Sequence, residues 1–121
     1  MTTAPADDAA AVPLPDEPIV VHLRPGCGFC SGLVRGLERH GVEFARVDIW
    51  QDEDAAAFVR SVADGNEVVP TVRVRDVAMV NPSALDVLHE VRDRVPERFP
   101  EGLELPEPGV VGRTLRRLLG G

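Results

Sequence analysis

At 121 residues, the chain is long enough to build one domain with a hydrophobic core but too short for two ordinary domains. Its 20 acidic residues outnumber its 13 basic ones, and the net charge of -7 would repel a nucleic-acid backbone. Because no segment approaches the roughly 20 apolar residues of a membrane span, and the N-terminus does not have the pattern of a secretory signal, we expect a cytoplasmic protein that binds neither nucleic acid nor membrane.

The first half of the chain predicts two strands and a helix after a polar leader. Residues 1–17 are rich in Ala, Pro, Asp and Glu and are predicted to be a disordered acidic leader. Residues 18–23 form a short β-branched run typical of a buried strand. Apolar residues at helical spacing predict a helix over 27–40, and alternating polarity predicts a second strand over 43–49.

The second half predicts a further helix, a hairpin and a last core helix. The helix begins at the carboxylates of 52–54 and ends at Gly65, and the hairpin pairs strands 68–74 and 77–80. The last helix opens at 81–83 and runs to about Arg94. The order β-α-β-α-β-β-α predicts an α/β domain over residues 18–95, with a mixed four-stranded sheet whose first two strands are parallel.

Residues 96–121 are predicted to be a proline-rich linker followed by a short amphipathic C-terminal helix. Within 110–119, the apolar residues Val111, Leu115 and Leu118 would share one helix face, with arginines largely opposite. A helix of this length is marginal alone in water, so we expect it to dock on its own domain.

Cys27-Gly28-Phe29-Cys30 is the motif most clearly suited to catalysis. A helix that starts at Cys27 places its sulfur among unpaired backbone N–H groups, and Cys30 follows one turn later. Helix neighbours at this spacing are about 5–6 Å apart, which a disulfide tolerates. Since cytoplasmic thiols are kept reduced, Cys27 and Cys30 are predicted to be a catalytic redox pair, with no metal.

Reactivity requires Cys27 to be a thiolate. A thiol with an ordinary pKa near 8.5 is only about 3% ionised at pH 7, and lowering that pKa to ~6 takes about 3.4 kcal/mol. A helix dipole supplies at most about 2 kcal/mol. We therefore assign the rest to N–H and S–H donors, including Cys30, and to Arg24 at the exit of the first strand.

Other candidate residues have more ordinary interpretations. His22 and His40 could join the cysteines in a zinc site, but neither has zinc-finger spacing, so they and His89 are predicted to be structural. Trp50 is predicted to pack at the sheet edge rather than to contact a partner. For Pro70 two interpretations stay open: a trans-proline at a strand start, or a cis-proline that exposes the Val69 backbone to an extended thiol ligand.

Three segments together resemble the glutaredoxin family, and within it the mycoredoxins. They are Cys27-Gly28-Phe29-Cys30, Val69-Pro70-Thr71-Val72 and Val80-Asn81-Pro82-Ser83, in this order and spacing. The resemblance covers about residues 18–94 and implies a thioredoxin fold. It also implies that Cys27 is the attacking nucleophile and Cys30 its more buried partner.

The resemblance further implies a ligand site beside the cysteines. Pro70 would be cis, the Val69 backbone would pair with the bound thiol, and Asn81 and Ser83 would lie where glutaredoxins hold the polar end of their ligand with a Gly-Gly pair and an acidic residue. The full set of predicted ligand-binding residues is Arg24, Gly28, Phe29, Val69, Pro70, Asn81 and Ser83.

The replacement of that Gly-Gly pair favours mycothiol over glutathione as the small-thiol co-substrate, with no tightly bound cofactor. The composition is rich in residues with GC-rich codons, with 13 arginines and no lysine, which indicates a high-GC bacterium. Such a source also favours mycothiol. The implied activity is the reduction of mixed disulfides between mycothiol and proteins. A monomer is expected, with oxidised proteins and a mycothiol disulfide reductase system as partners.

Two alternatives stay open at the level of sequence. One is a thioredoxin-like protein disulfide reductase that is recycled by thioredoxin reductase. The other is a non-catalytic redox sensor that binds zinc or an iron–sulfur cluster through the same cysteines.

Overall fold

A computed structural model describes residues 17–106 and 115–119 of the chain. The elements in chain order are β1 (Ile19–Leu23), α1 (Gly28–Arg39), β2 (Ala45–Asp48), α2 (Glu53–Val62), β3 (Thr71–Val74), β4 (Val77–Val80), α3 (Ala84–Arg94), a 3-10 turn (Pro96–Arg98) and β5 (Leu115–Leu118). The first seven elements confirm the predicted series. Within the described ranges, no helix is long and apolar enough to cross a membrane.

The strands form one mixed sheet in the order β2-β1-β3-β4-β5. β1 and β2 are parallel, as predicted, and every other neighbouring pair is antiparallel. The four strands β1 to β4 and the three helices have the arrangement of the thioredoxin fold, in which α1 is the crossover between the parallel strands.

Hydrophobic clusters cover both faces of this sheet. Ile19 and Val21 of β1 belong to the larger cluster, which also takes Leu37 from α1 and Val87 from α3. The intervening Val20 faces the opposite way and joins a second cluster with residues of α2. Burying such a side chain contributes about 1.5–3 kcal/mol. The packing of α1 therefore fixes where its N-terminus, and with it the cysteine pair, lies against the sheet.

The C-terminal segment is the main correction to the predicted fold. Over the described residues Leu115–Leu118 the backbone is a strand, and the predicted amphipathic helix is wrong there; residues 110–114 lie outside the described ranges. β5 pairs antiparallel with β4, with Val80 opposite Leu115 and Val77 opposite Leu118. Without β5, β4 would present a row of unpaired N–H and C=O groups at the sheet edge, and strand pairing satisfies them.

The segment after α3 also differs from the predicted linker. Phe99, Leu103 and Leu105 are partly buried against the larger cluster, so residues 96–105 form part of the packed domain. His89 of α3 bonds through Nε2 to the backbone carbonyl of Pro106 at 2.8 Å. Of the predicted leader, residues 1–16 lie outside the described ranges.

The contact between α1 and α3 supplies a test of the packing. A Cβ added to Gly36 would lie 2.8 Å from the Cβ of Ala84. We expect Gly36→Ala to lower the free energy of unfolding by about 1 kcal/mol or more, because overpacking costs about 1–3 kcal/mol and exceeds the gain in helix propensity. Gly32→Ala in the same helix is the control. A Cβ there meets nothing within 4 Å, so urea denaturation should find this variant stabilised by up to about 1 kcal/mol. Equal effects of the two substitutions would contradict the tight contact.

Candidate active site

Cys27 and Cys30 are joined in a disulfide at the N-terminus of α1, with their Cα atoms 5.2 Å apart. Cys27 is the N-cap residue: its backbone is extended, and its sulfur accepts a hydrogen bond from the backbone N–H of Cys30 at 3.1 Å. Cys27 thus satisfies one of the unpaired donors at the start of the helix. The same donor would stabilise the negative charge of a thiolate when the disulfide is reduced.

The two sulfurs differ in their access to solvent. Cys30 is only 3% exposed and lies in the second hydrophobic cluster, beside Val20 and Val59. Cys27 is partly exposed at the rim of that cluster. A disulfide outside the protein can therefore reach Cys27 but not Cys30. No acidic residue lies in the first turn of α1, so no nearby helix carboxylate opposes a thiolate there.

The segment that leads into β3 faces the cysteine pair. The Val69-Pro70 peptide bond is cis, and the carbonyl oxygen of Val69 lies 4.0 Å from the sulfur of Cys27. Thr71 anchors this segment, since its hydroxyl donates to the carbonyl of Val68 at 2.7 Å. The Val69 carbonyl thus lies beside the sulfur of Cys27, and the pairing of this backbone with a bound thiol stays a prediction.

His22 of β1 bonds to Thr71, the first residue of β3. It is buried, its Nδ1 donates to the carbonyl of Thr71 at 3.0 Å, and its ring stacks on Phe58 of α2 with centroids 4.9 Å apart. Burial lowers the pKa of His22 from 6.5 to about 4, since desolvation disfavours the imidazolium and the nearby Arg73 adds to the effect. His22 is therefore neutral at pH 7, with a structural role as predicted.

Asn81 and Ser83 shape the connection from β4 to α3. The backbone N–H of Asn81 donates to the carbonyl of Pro70 at 2.8 Å, which ties this connection to the segment before β3. Asn81 has a φ of 56°, a left-handed conformation that Asn tolerates better than most residues. The Ser83 hydroxyl accepts from the N–H of Asp86, whose carboxylate accepts from the N–H of Ser83, and together they form a capping box for α3.

Five of the predicted ligand-binding residues line two hollows beside the N-terminus of α1. A hollow of about 280 Å³ is lined by Gly28, Phe29, Gly32, Leu33, Asn81, Pro82, Ser83 and Ala84. A separate hollow of about 210 Å³ is lined by Leu23, Arg24, Pro25, Gly26, Cys27, Cys30, Ser31, Val34 and Arg46. The structure therefore brings Gly28, Phe29, Asn81 and Ser83 together, and it puts Arg24 with the cysteines in the other hollow.

Two residues near the cysteines were missed or misjudged from the sequence. Arg46 of β2 lines the hollow of Arg24, and only the parallel pairing of β1 and β2 brings them to the same edge. Trp50 does not pack at the sheet edge as predicted: it is 63% exposed, and the guanidinium of Arg24 lies over its ring, 5.9 Å from the centroid. Its position directly after β2 was the only available signal.

The other two histidines are bonded to backbone carbonyls. His40 bonds to Gly36 at 2.9 Å through Nδ1, and His89 bonds to Pro106. In the ranges described, no group of three His, Cys, Asp or Glu side chains is arranged to hold a metal ion.

Comparison with known proteins identifies the family. A family model described as Glutaredoxin matches residues 19–79, just over half of the chain. The chain belongs to the glutaredoxin family. This glutaredoxin is 38% identical over 74 residues to Mycoredoxin 1 of Corynebacterium glutamicum, an alignment that covers 60% of this chain and 91% of the relative.

Solved glutaredoxin structures are also similar to this glutaredoxin. Reduced glutaredoxin C1 from Populus tremula x tremuloides is 19% identical, with 69% of this chain and 72% of that chain covered and a TM-score of 0.47. The buckwheat glutaredoxin–glutathione complex is 23% identical, with 68% and 76% covered and the same TM-score of 0.47. As a glutaredoxin with a Cys27–Cys30 pair, the protein is a thiol–disulfide redox protein of a family that uses a glutathione-like thiol as co-substrate.

Proposed function

We propose that this glutaredoxin reduces mixed disulfides between mycothiol and cytoplasmic proteins, with Cys27 as the attacking nucleophile. The observation that carries the proposal is the asymmetry of the cysteine pair. Cys27 caps α1 with a partly exposed sulfur that accepts the N–H of Cys30, whereas Cys30 is 3% exposed. Only Cys27 has both the access and the backbone donor that an attacking thiolate needs.

The exchange proceeds in two balanced steps. The thiolate of Cys27 attacks the mycothiol sulfur of the mixed disulfide, a new Cys27–mycothiol disulfide forms, and the target protein leaves as a thiolate that takes up a proton. A second mycothiol thiolate then attacks the mycothiol sulfur on Cys27. This releases the Cys27 thiolate and the disulfide of two mycothiols, which a mycothiol disulfide reductase reduces.

Cys30 gives the protein a second route. When the substrate is a disulfide within a protein, the first attack leaves Cys27 bonded to the target, and Cys30 can attack the Cys27 sulfur to release the target as a dithiol. This route ends in the Cys27–Cys30 disulfide, for which the Cα separation of 5.2 Å is suitable.

The hollow beside α3 supports mycothiol as the small thiol. The exposed Asn81 side chain there can both donate and accept hydrogen bonds, which suits the hydroxyl groups of a carbohydrate-based thiol. No arginine lines this hollow, so it offers no guanidinium to the carboxylates of glutathione. The name of the relative Mycoredoxin 1 and the arginine-only basic composition point in the same direction.

A regeneration assay tests this proposal. We expect oxidised protein to be reduced by mycothiol with its disulfide reductase and NADPH, and to react with mycothiol mixed disulfides at least about ten-fold faster than with the glutathione equivalents, a preference worth about 1.4 kcal/mol. The measurements are NADPH oxidation and single-turnover exchange rates. The parallel arm supplies thioredoxin reductase instead. Recycling by that enzyme alone would overturn the mycothiol assignment and leave a thioredoxin-like reductase.

A further inference from the structure

Arg24 and Arg46 line the hollow of Cys27, and Arg24 also lies over the ring of Trp50; we call these three residues the arginine face. Leu23 pairs with Asp48 in the parallel sheet, and the Leu23 carbonyl accepts the N–H of Ile49 at 2.9 Å. The residues that follow β1 and β2 therefore leave the sheet side by side. This places Arg24 over the ring of Trp50 and in the same hollow as Cys27 and Arg46.

The arginine face carries positive charge on an acidic protein. Two arginines line the hollow, although the chain has a net charge of -7. In the described part of the chain, no carboxylate lies within ion-pair distance of Arg24. Arg46 pairs with Glu38 at 2.7 Å, but both side chains are about half exposed, and such surface pairs contribute only about 0–1 kcal/mol. An incoming carboxylate can therefore displace Glu38 at little cost.

Trp50 is a large apolar residue that lies exposed beside Arg24. The residue is 63% exposed, and its backbone N–H donates to the Asp48 carboxylate at 2.8 Å. The cation–π contact holds the Arg24 guanidinium against this ring, which reduces the entropy that Arg24 would lose on binding a ligand. Trp and Arg are also the residue types most enriched among the residues that dominate protein–protein binding energy.

We propose that the arginine face binds carboxylate side chains of the substrate polypeptide, next to its disulfide-bonded cysteine. This rests on the proposed function, in which the disulfide that Cys27 attacks has a small thiol on one side and a polypeptide on the other. The hollow of Asn81 and Ser83 takes the small thiol. The opposite hollow, with Arg24 and Arg46, takes the polypeptide, so the protein selects target cysteines with Asp or Glu neighbours.

The fluorescence of Trp50 provides a direct binding assay, because the chain has one tryptophan and no tyrosine. The probes are nine-residue peptides without Trp or Tyr, with Ser at the central position in place of the reacting cysteine. One peptide has Asp and Glu around the centre and the other has Asn and Gln. Oxidised full-length protein is titrated with each peptide at low salt, and anisotropy of fluorescein-labelled peptides measures the same binding independently of Trp50.

We expect the acidic peptide to bind at least about ten-fold more tightly than the neutral one, and 0.5 M salt to remove the difference. Arg24→Gln and Arg46→Gln should each weaken acidic-peptide binding by at least about three-fold, the loss of one carboxylate–guanidinium contact. Arg92→Gln is the matched control. It removes the same charge from α3, outside the hollow, and should leave the preference unchanged.

Several results would overturn the arginine face as a polypeptide site. They are equal binding of the two peptides, no binding by either method, and equal losses in Arg24→Gln and Arg92→Gln. Glutathione that binds as tightly as the acidic peptide and loses its affinity in Arg24→Gln would instead assign the face to the carboxylates of a small thiol.

Exchange kinetics separate this proposal from the proposed function. The same peptides with a central cysteine in mixed disulfide with mycothiol give single-turnover rates. Equal rates for acidic and neutral peptides would leave the proposed function standing and reject the arginine face. Selective binding of the acidic Ser peptide, with no exchange on either mixed disulfide, would support the arginine face and reject the proposed function.

Discussion

Cys27→Ser is expected to lower the rate of mixed-disulfide reduction by at least about 1,000-fold, because a hydroxyl at neutral pH cannot replace the attacking thiolate. The loss should be in the chemical step and not in folding. The Cys27 side chain is the N-cap of α1, and Ser is a favourable N-cap residue that accepts the same N–H of Cys30. Single-turnover exchange with a mycothiolated peptide measures the rate, and urea denaturation of both proteins under reducing conditions checks the fold.

Cys30→Ala is the matched variant for this prediction. The donor to the Cys27 sulfur is the backbone N–H of residue 30, so the substitution retains it, and Ala suits the apolar surroundings of that side chain. We expect the mixed-disulfide rate to stay within about three-fold of wild type. Reduction of a disulfide within a protein should stop at the stage of Cys27 bonded to its target, which mass spectrometry detects. Equal losses in Cys27→Ser and Cys30→Ala would contradict the assignment of Cys27 as the attacking residue.

Much of the fold could be predicted because its signals are local. The apolar spacing in α1 and the glycine after it fixed that helix to within one or two residues, and Gly41 has the left-handed φ of 80° expected at such a stop. The alternating order of strands and helices was sufficient for the parallel pairing of β1 and β2.

The C-terminal strand could not be predicted because its signal is not local. Leu115 and Leu118 are three residues apart, a spacing typical of a helix face, and this favoured the wrong element. The decisive factor is the free edge of β4, whose backbone groups gain partners when Leu115–Leu118 pairs with it. Which strand has a free edge follows only from the assembled sheet.

The residues of the candidate site also divide into those with a local sequence signal and those without one. The cysteine pair and the Val69-Pro70 element are sequence motifs, and the structure brings them within 4.0 Å. The two hollows lie against different residues of α1, so the assignment of a ligand-binding residue to one or the other depends on how this helix packs. Arg46 belongs to the site only because β2 lies next to β1, and no motif marks it.

His22 links β1, α2 and the start of β3, and it makes stability depend on pH. In the unfolded chain its pKa is about 6.5, and in the folded protein burial lowers the pKa to about 4. Above pH 6.5 both states hold a neutral ring, so the group has no effect on the pH dependence there. Below pH 6.5 the unfolded state takes up a proton that the folded state does not, so stability falls as pH falls and the loss levels off below about pH 4.

We expect this loss to reach about 3 kcal/mol between pH 7.5 and pH 3.5, at about 1.4 kcal/mol for each pH unit that separates the two pKa values. His22→Asn is the control, since an amide N–H can replace the Nδ1 donor to Thr71 but does not titrate. Urea denaturation of both proteins, with the disulfide intact, gives the free energy of unfolding at each pH. At pH 7.5 wild type should be the more stable, because Asn loses the stacking on Phe58. This advantage should shrink by about 3 kcal/mol on acidification. An advantage that stays constant over the whole range would mean that His22 takes up its proton in the folded protein as readily as in the unfolded chain, and would contradict a pKa lowered by burial.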